Sequence, residues 1–232
     1  MSSPRADATS AISGYPHGRV PRAVRSEQLR EVALELFAER GFHATSIEDI
    51  RRRAGVSRPT FYSHFASKEA VYIACLQRAR ERLNRSISTH VDQQDEPREQ
   101  LRHGVDGYFE FAELEPLCWR LIFGGGDAVT GPAGEQERQL RLVTIELLAE
   151  LIQRAVPAAD DAVVEAYANG LSGSGEQLAR WWVRHPDVPR ERMAGYLMEI
   201  TWGGLQALVR VSGGASGASS GETPRGATGR PG

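Results

Sequence analysis

Residues 46–65 read SIEDIRRRAGVSRPTFYSHF and predict two short helices joined by a tight turn. Thr45 lies three residues before Glu48, a spacing that lets the two side chains cap the first of these helices. Gly55 permits the turn, and Ser57 is placed to cap the helix that follows. The segment therefore has the form of helix, turn and helix.

The second of these helices divides into an inward and an outward face. Phe61 and Phe65 lie four residues apart and can pack into a core. The other side chains supply hydrogen-bond donors, acceptors and an aromatic edge on a helix short enough to enter the DNA major groove, about 12 Å wide. Arg58 and Thr60 stand at its start, where base edges are met, whereas Tyr62, Ser63, His64 and Lys68 suit phosphates. The residues predicted to contact DNA are Thr45, Ser46, Arg58, Pro59, Thr60, Tyr62, Ser63, His64 and Lys68.

A solvated surface is the alternative interpretation for each of these residues. It also applies to the three arginines at 51–53, of which one is placed to touch the DNA backbone, and to Arg22 and Arg25 just before the first helix. For Thr45 and Ser46, capping and phosphate binding are compatible, because a helix start presents free amides to an anion.

Apolar residues recur every three or four positions through most of the chain, and no segment shows sustained alternation with a period of two. We therefore predict an all-α protein of about nine helices. The predicted organisation is a disordered arm over 1–21, a helix-turn-helix DNA-binding domain over 22–68, a second helical domain over 69–211 and a disordered Gly/Ser-rich tail over 212–232.

Charge is distributed unevenly along the 232 residues. Residues 1–85 hold 15 Arg or Lys against 9 Asp or Glu, whereas residues 86–232 hold 13 against 21. A basic front and an acidic rear are typical of a polyanion-binding module carried by a domain that does not itself attract nucleic acid.

Several protein classes are disfavoured by what the sequence lacks. No apolar run reaches the roughly 18 residues needed to span a bilayer and no signal-peptide pattern opens the chain, so we expect a cytoplasmic protein without a membrane partner. No HExxH, GxSxG or P-loop motif occurs, and the two cysteines have no companions at metal-ligand spacing. We therefore expect no enzyme activity, cofactor or metal. Redox sensing through Cys75 or Cys118, and DNA binding without a ligand, are the alternatives.

Residues 22–70 resemble the DNA-binding domain of the TetR family of bacterial one-component transcription regulators. Arg51 and Pro59 depart from the family pattern, in which a small Ala and a Gly are usual. The resemblance rests on the residues that stand where family members carry the same types, which are Gly41, Phe42, Thr45, Ile50, Ala54, Gly55, Val56, Ser57, Tyr62, Phe65, Lys68 and Glu69.

The resemblance implies a homodimer that binds a palindromic operator and is released from it, as a repressor, by a small-molecule effector. The expected effector is mainly apolar, because few buried charges can be placed in the rear domain. Residues suited to the pocket, unless they only fill the core, are Tyr108, Phe109, Phe111, Trp119, Phe123 and Tyr167. Residues suited to a four-helix dimer interface, unless they pack within one chain, are Gly170, Gly173, Trp181, Trp182, Trp202, Leu205 and Leu208.

Overall fold

The computed structural model describes residues 20–92, 95–124 and 129–215, with side chains described as far as Gln206 in the last helix. Within these ranges the chain forms α-helices and no strand, which confirms the all-α prediction. The helices are α1 (Arg22–Arg40), α2 (Ile47–Ala54), α3 (Arg58–Tyr62), α4 (Lys68–Thr89), α5 (Pro97–Leu114), α6 (Pro116–Phe123), α7 (Gly131–Ala155), α8 (Asp161–Trp182) and α9 (Arg190–Ala215).

The helix starts are fixed by short polar side chains. The hydroxyl of Ser57 accepts a hydrogen bond from the backbone amide of Thr60 at the start of α3, as predicted. The predicted cap of α2 is wrong by one residue: Ser46, and not Thr45, is the capping residue, and it exchanges hydrogen bonds with Asp49 in a capping box. Gly55 ends α2 with a positive φ of 65°, the left-handed conformation that the predicted turn requires.

Helices α1 to α3 form a small front domain around a shared core. Leu29 and Leu36 of α1, Ile50 of α2 and Phe61 of α3 are completely or almost completely buried in it. The buried amide of Gln28 donates a hydrogen bond to the carbonyl oxygen of Ala54 at 3.0 Å, which ties α1 to the end of α2. The orientation of α3 is thus set by packing beneath it.

Helix α4 is central to the rear domain. It packs against α5, α6 and α7, and its first half packs against α1 of the front domain. Helix α6 also contacts α1, so two helices join the front domain to the rear one. Helices α8 and α9 complete the rear domain, with α8 on α7 and α9 on α5.

The two predicted tails fall largely outside the described residues. Helix α9 runs to Ala215, four residues beyond the predicted boundary at 211. The predictions for residues 1–19 and 216–232 lie outside the part of the chain that the structure describes. In the described ranges, none of the helices combines the length and apolar character needed to cross a membrane.

Candidate nucleic-acid interface and ligand cavity

Helix α3 presents the predicted outward face to solvent. Arg58, Pro59, Tyr62 and Ser63 are exposed, and Thr60 is half-buried. The face is ordered by contacts among its own members. The Arg58 guanidinium lies 5.7 Å from the centre of the Tyr62 ring, a cation–π contact that holds both side chains on the surface.

The start of α1 lies beside the end of α3. The Arg22 guanidinium donates a hydrogen bond to the carbonyl oxygen of Ser63 at 2.9 Å, which places a positive charge next to the predicted phosphate contacts. His64 is half-buried nearby. Burial, together with the charges of Arg22 and Arg25, lowers the pKa of His64 below its usual 6.5, so the imidazole is neutral at pH 7.

Thr45 lies beneath this surface and not on it. Its side chain is 1% exposed, and its single hydroxyl proton is shared between the carbonyl oxygens of Gly41, at 2.9 Å, and Leu36, at 3.3 Å. A phosphate cannot reach that hydroxyl, so the prediction that the Thr45 side chain contacts DNA is corrected. Ser46 is exposed at the start of α2, where its own amide donates to Asp49.

Lys68 makes an internal contact, and its contact with DNA stays a prediction. Its ammonium group donates to the carbonyl oxygen of Phe42 at 3.0 Å and lies 4.2 Å from the centre of the Phe42 ring. The side chain is half-buried, and the ammonium group has further donors beyond the one that this bond uses.

The three arginines of α2 each have a partner within the chain. Arg51 bonds Glu48 and the carbonyl oxygen of Val56, which explains the departure from a small residue: its side chain braces the turn. Arg52 pairs with Asp49 at 2.5 Å, and Arg53 pairs with Glu35 of α1 at 3.1 Å. These pairs use part of the donor set of each guanidinium in the free protein.

The rear domain contains an apolar cavity enclosed by α4, α5, α7, α8 and α9, with Phe123 of α6 at one side. Of the six predicted aromatic residues, Tyr108 and Phe123 line it. The sequence interpretation missed the aliphatic majority of the lining, which consists of Leu83, Ile87, Leu101, Val105, Leu148, Leu151, Leu171 and Leu197. The space open to a water molecule inside it is about 40 Å³, so any larger ligand must move the surrounding side chains.

The other four predicted aromatic residues do not line this cavity. Trp119 does not reach the cavity wall itself; its indole N–H donates a hydrogen bond to the hydroxyl of the lining residue Tyr108 at 3.2 Å. Phe109 and Phe111 are buried elsewhere in the core. Tyr167 is half-buried, with its hydroxyl donating to the carbonyl oxygen of Gly204 at 3.4 Å, so it ties α8 to α9.

Comparison with known proteins identifies the family. The model for bacterial regulatory proteins of the tetR family matches residues 29–75. The transcriptional activator FasR of Mycolicibacterium smegmatis is 33% identical over 196 residues, which are 81% of this chain and 85% of that relative. The chain belongs to the TetR family. It is a DNA-binding transcriptional regulator.

Two further TetR-family relatives match over nearly the whole chain. The transcriptional regulator EthR of Mycobacterium tuberculosis is 33% identical over 218 residues, covering 83% of this chain and 94% of that one. The crystal structure of a TetR-like transcriptional regulator from Rhodococcus sp. RHA1 superimposes with a TM-score of 0.69 at 30% identity, covering 81% of this chain and 99% of that chain. TetR-family regulators bind operator DNA, typically as homodimers with small-molecule effectors.

The residues predicted for the TetR-type dimer interface separate into two groups. Gly170 and Gly173 are exposed, with open space where a side chain would stand. Trp182 and Leu205 face their own subunit instead: Leu205 is fully buried, and the Trp182 ring packs edge-on against Phe109. A partner cannot reach Leu205, so that prediction is corrected in favour of packing within one chain.

Three other predicted interface residues have different outcomes. The half-buried Trp181 stacks on His185, with ring centres 3.9 Å apart. Trp202 is half-buried under the guanidinium of Arg98. The side chain of Leu208 lies outside the described residues. Ile200 of α9, which the sequence interpretation did not include in the interface, has a side chain that is 58% exposed.

The two cysteines are poorly suited to redox sensing. Both are buried, and desolvation raises the pKa of Cys75 to about 12 and that of Cys118 to about 11. Since the thiolate is the reactive form, both remain inert thiols at neutral pH.

Proposed function

We propose that two copies of the chain join through α8 and α9 and place their α3 helices in successive major grooves of a palindromic operator. The outward stripe of α8, which is Ala162, Ala166, Gly170, Gly173 and Gln177, is exposed and nearly free of large side chains. Small residues let two helix backbones approach closely, and the exposed Ile200 of α9 supplies apolar area to bury. The symmetry of the operator then follows from the symmetry of the dimer.

Within each half-site, the exposed residues divide by the DNA group that they reach. Arg58 and Thr60, at the start of α3, are proposed to read base edges. Phosphates are proposed to be bound by the side chains of Ser46, Tyr62, Ser63, His64, Lys68 and Arg22. Pro59 has no hydrogen-bond donor and is proposed to contact the DNA by packing alone. Phosphate contacts fix the register on the duplex and carry little sequence information.

Arg58→Ala is expected to lose about 1 to 3 kcal/mol of discrimination at one base position, because a guanidinium can bond both acceptors of a guanine. The measurement compares fluorescence anisotropy titrations on an operator duplex, obtained by selection from a random library, with titrations on single-base variants and on random DNA. Arg138→Ala, which removes the same residue type from α7, is the control. Equal losses on operator and random DNA for Arg58→Ala would refute base reading.

DNA affinity is expected to rise as the pH falls from 8 to 6. In the free protein the pKa of His64 lies below 6.5, whereas a neighbouring phosphate raises that pKa in the complex. A group whose pKa is higher in the complex takes up a proton on binding, so acidification through the window between the two pKa values favours the complex.

The pH dependence can be assigned to His64 with two variants. His64→Asn should flatten it, and His103→Asn, in α5 of the rear domain, should leave it unchanged. A slope that persists in His64→Asn would remove His64 from the set of phosphate contacts.

We propose that a small, mainly apolar ligand enters the cavity and weakens DNA binding. The observation that carries this proposal is the position of α4. Leu83 and Ile87 of α4 line the cavity, whereas Cys75, two turns earlier, bonds the carbonyl oxygen of Arg30 in α1. A ligand that displaces the cavity end of α4 therefore moves the part of α4 that packs against the front domain. The two α3 helices of the dimer, which must lie roughly 34 Å apart on an operator, then change their spacing.

If the operator overlaps the promoter, the DNA-bound protein blocks transcription and the ligand relieves that block, so the protein is a repressor. Activation is the second candidate, because FasR, which matches 81% of this chain, is named a transcriptional activator. A promoter-reporter assay with the operator at its native position distinguishes the two. Transcription that rises on adding protein without ligand would establish activation, and transcription that falls would establish repression.

Native mass spectrometry of the purified protein tests the assembly and the ligand together. A dimer is expected, and added mass on the dimer would identify a molecule retained from expression. A monomer at micromolar concentration would contradict the proposed interface. Linkage gives the second test: a ligand that binds equally well with and without operator present cannot cause release.

A further inference from the structure

Arg80 of α4 is a buried cation with an unused donor. Its side chain is 3% exposed. One terminal nitrogen, Nη1, donates to the hydroxyl of Thr144 at 3.4 Å, and the other, Nη2, is buried without a hydrogen-bond partner. A buried guanidinium that lacks a partner for one of its edges is costly, so its retention calls for an explanation.

Within the described ranges, no ion pair compensates this charge. Among the described residues, no carboxylate oxygen lies within 4 Å of the Arg80 guanidinium. Of the two nearby carboxylates, Glu176 pairs with Arg180 at 2.9 Å, and Glu137 lies close to the Tyr72 hydroxyl. Burial lowers the pKa of Arg80 to about 10, so the group is still charged at neutral pH.

The guanidinium lies at the edge of the apolar cavity. Two of its neighbours are cavity-lining residues: the Phe123 ring, whose centre is 5.3 Å from the guanidinium carbon, and Thr144. Most of the remaining lining is aliphatic, apart from Tyr108, Ser172 and two glycines. The site therefore combines a long apolar surface with a buried cation, Arg80, at one end.

We propose that the effector is an aliphatic carboxylic acid whose chain fills the cavity and whose carboxylate accepts hydrogen bonds from Nη2 of Arg80. This inference rests on the proposed ligand-binding function and names the chemical class of the ligand. A carboxylate matches the planar guanidinium and satisfies its free donor, while the chain replaces water along the leucine-rich wall. Movement of the Phe123 ring would join the cavity to the guanidinium.

A purely structural role for Arg80 makes a different prediction. If the side chain only packed between Phe123 and Thr144, an apolar residue of similar length would serve as well, and the ligand would not distinguish an acid from an alcohol. Comparing decanoate with decan-1-ol, which share a chain length and differ in the head group, separates the two roles.

Isothermal titration calorimetry on the full chain at pH 7.5 provides the test. The unmodified protein should bind decanoate roughly ten- to hundredfold more tightly than decan-1-ol, the gain expected of a hydrogen bond to a charged group. Arg80→Met should lose this preference and bind the alcohol at least as tightly as the unmodified protein does, which also shows that the variant is folded. Arg80→Gln, which keeps a neutral donor, should fall between them. Arg154→Met, which removes an exposed cation from the far end of α7, should retain the preference.

The outcomes distinguish this proposal from the proposed function. Equal binding of acid and alcohol by the unmodified protein, an acid preference that survives in Arg80→Met, or no binding of either compound would overturn the role of Arg80. Release of operator by the alcohol as well as by the acid would keep the effector function and overturn the head-group assignment. Arg80-dependent binding of decanoate that leaves operator affinity unchanged would keep the site and refute ligand-controlled release.

Discussion

Replacing Ile200 with aspartate is expected to convert the dimer into a monomer and to weaken operator binding by about 10²- to 10⁴-fold. In one chain the Ile200 side chain is 58% exposed on the outward face of α9. In the proposed dimer it is buried against the partner, where a carboxylate would be desolvated without a cation to pair with. A monomer binds only one half-site. It lacks the second subunit, which in a dimer is held at a high effective concentration near the other half-site.

The control for this prediction is another exposed aliphatic residue. Val143 of α7 is half exposed and lies outside the proposed interface, so Val143→Asp should leave both the dimer and operator affinity intact. Sedimentation velocity measures the subunit count, and fluorescence anisotropy measures DNA affinity. An Ile200→Asp variant that remains a dimer and binds the operator normally would place the interface elsewhere.

Phe61→Ala is expected to lower the free energy of unfolding by about 3 to 5 kcal/mol and to abolish specific DNA binding. Phe61 is 0% exposed, and it connects α3 to the core formed by α1 and α2. Removing the ring leaves a cavity beneath a helix of only five residues, which has little intrinsic stability of its own.

The adjacent residue is a matched control. Tyr62 is an aromatic residue on the same helix and is 42% exposed, so Tyr62→Ala should change the free energy of unfolding by under about 1 kcal/mol. Chemical denaturation followed by circular dichroism measures both. The account of α3 would be wrong if the two variants were equally destabilised.

The helix pattern could be predicted from the sequence because its signals are local. Ser57 and Ser67 cap α3 and α4 through the amides three residues ahead, and Gly55 adopts the positive φ expected of it. The inward pair Phe61 and Phe65 follows from helical spacing alone.

The cap of α2 shows where local signals stop. Thr45 and Ser46 are adjacent, and either hydroxyl can cap a helix. Packing decides between them, because Thr45 is drawn into the core of the front domain and bonds two carbonyl oxygens there. The Thr45 side chain is therefore unavailable to DNA because of tertiary packing, which the spacing of residues along the sequence does not predict.

The cavity lining was harder to predict than the helices that form it. Aromatic side chains suggested a pocket, yet Phe109 and Phe111 fill the core, and aliphatic residues line the cavity. Which part of an inward stripe faces a void depends on how the helices pack. Arg80 did leave a signal: it falls on the inward stripe of α4 between Leu76 and Leu83, where a charge is unusual.

Selection of bound duplexes from a random library by the purified protein tests the central claim most directly. The account predicts an enriched inverted repeat, whose half-sites are centred roughly 34 Å apart on the duplex and which two chains occupy together. A library that yields no enriched sequence, or a single half-site without its inverted copy, would contradict a dimer that reads two major grooves.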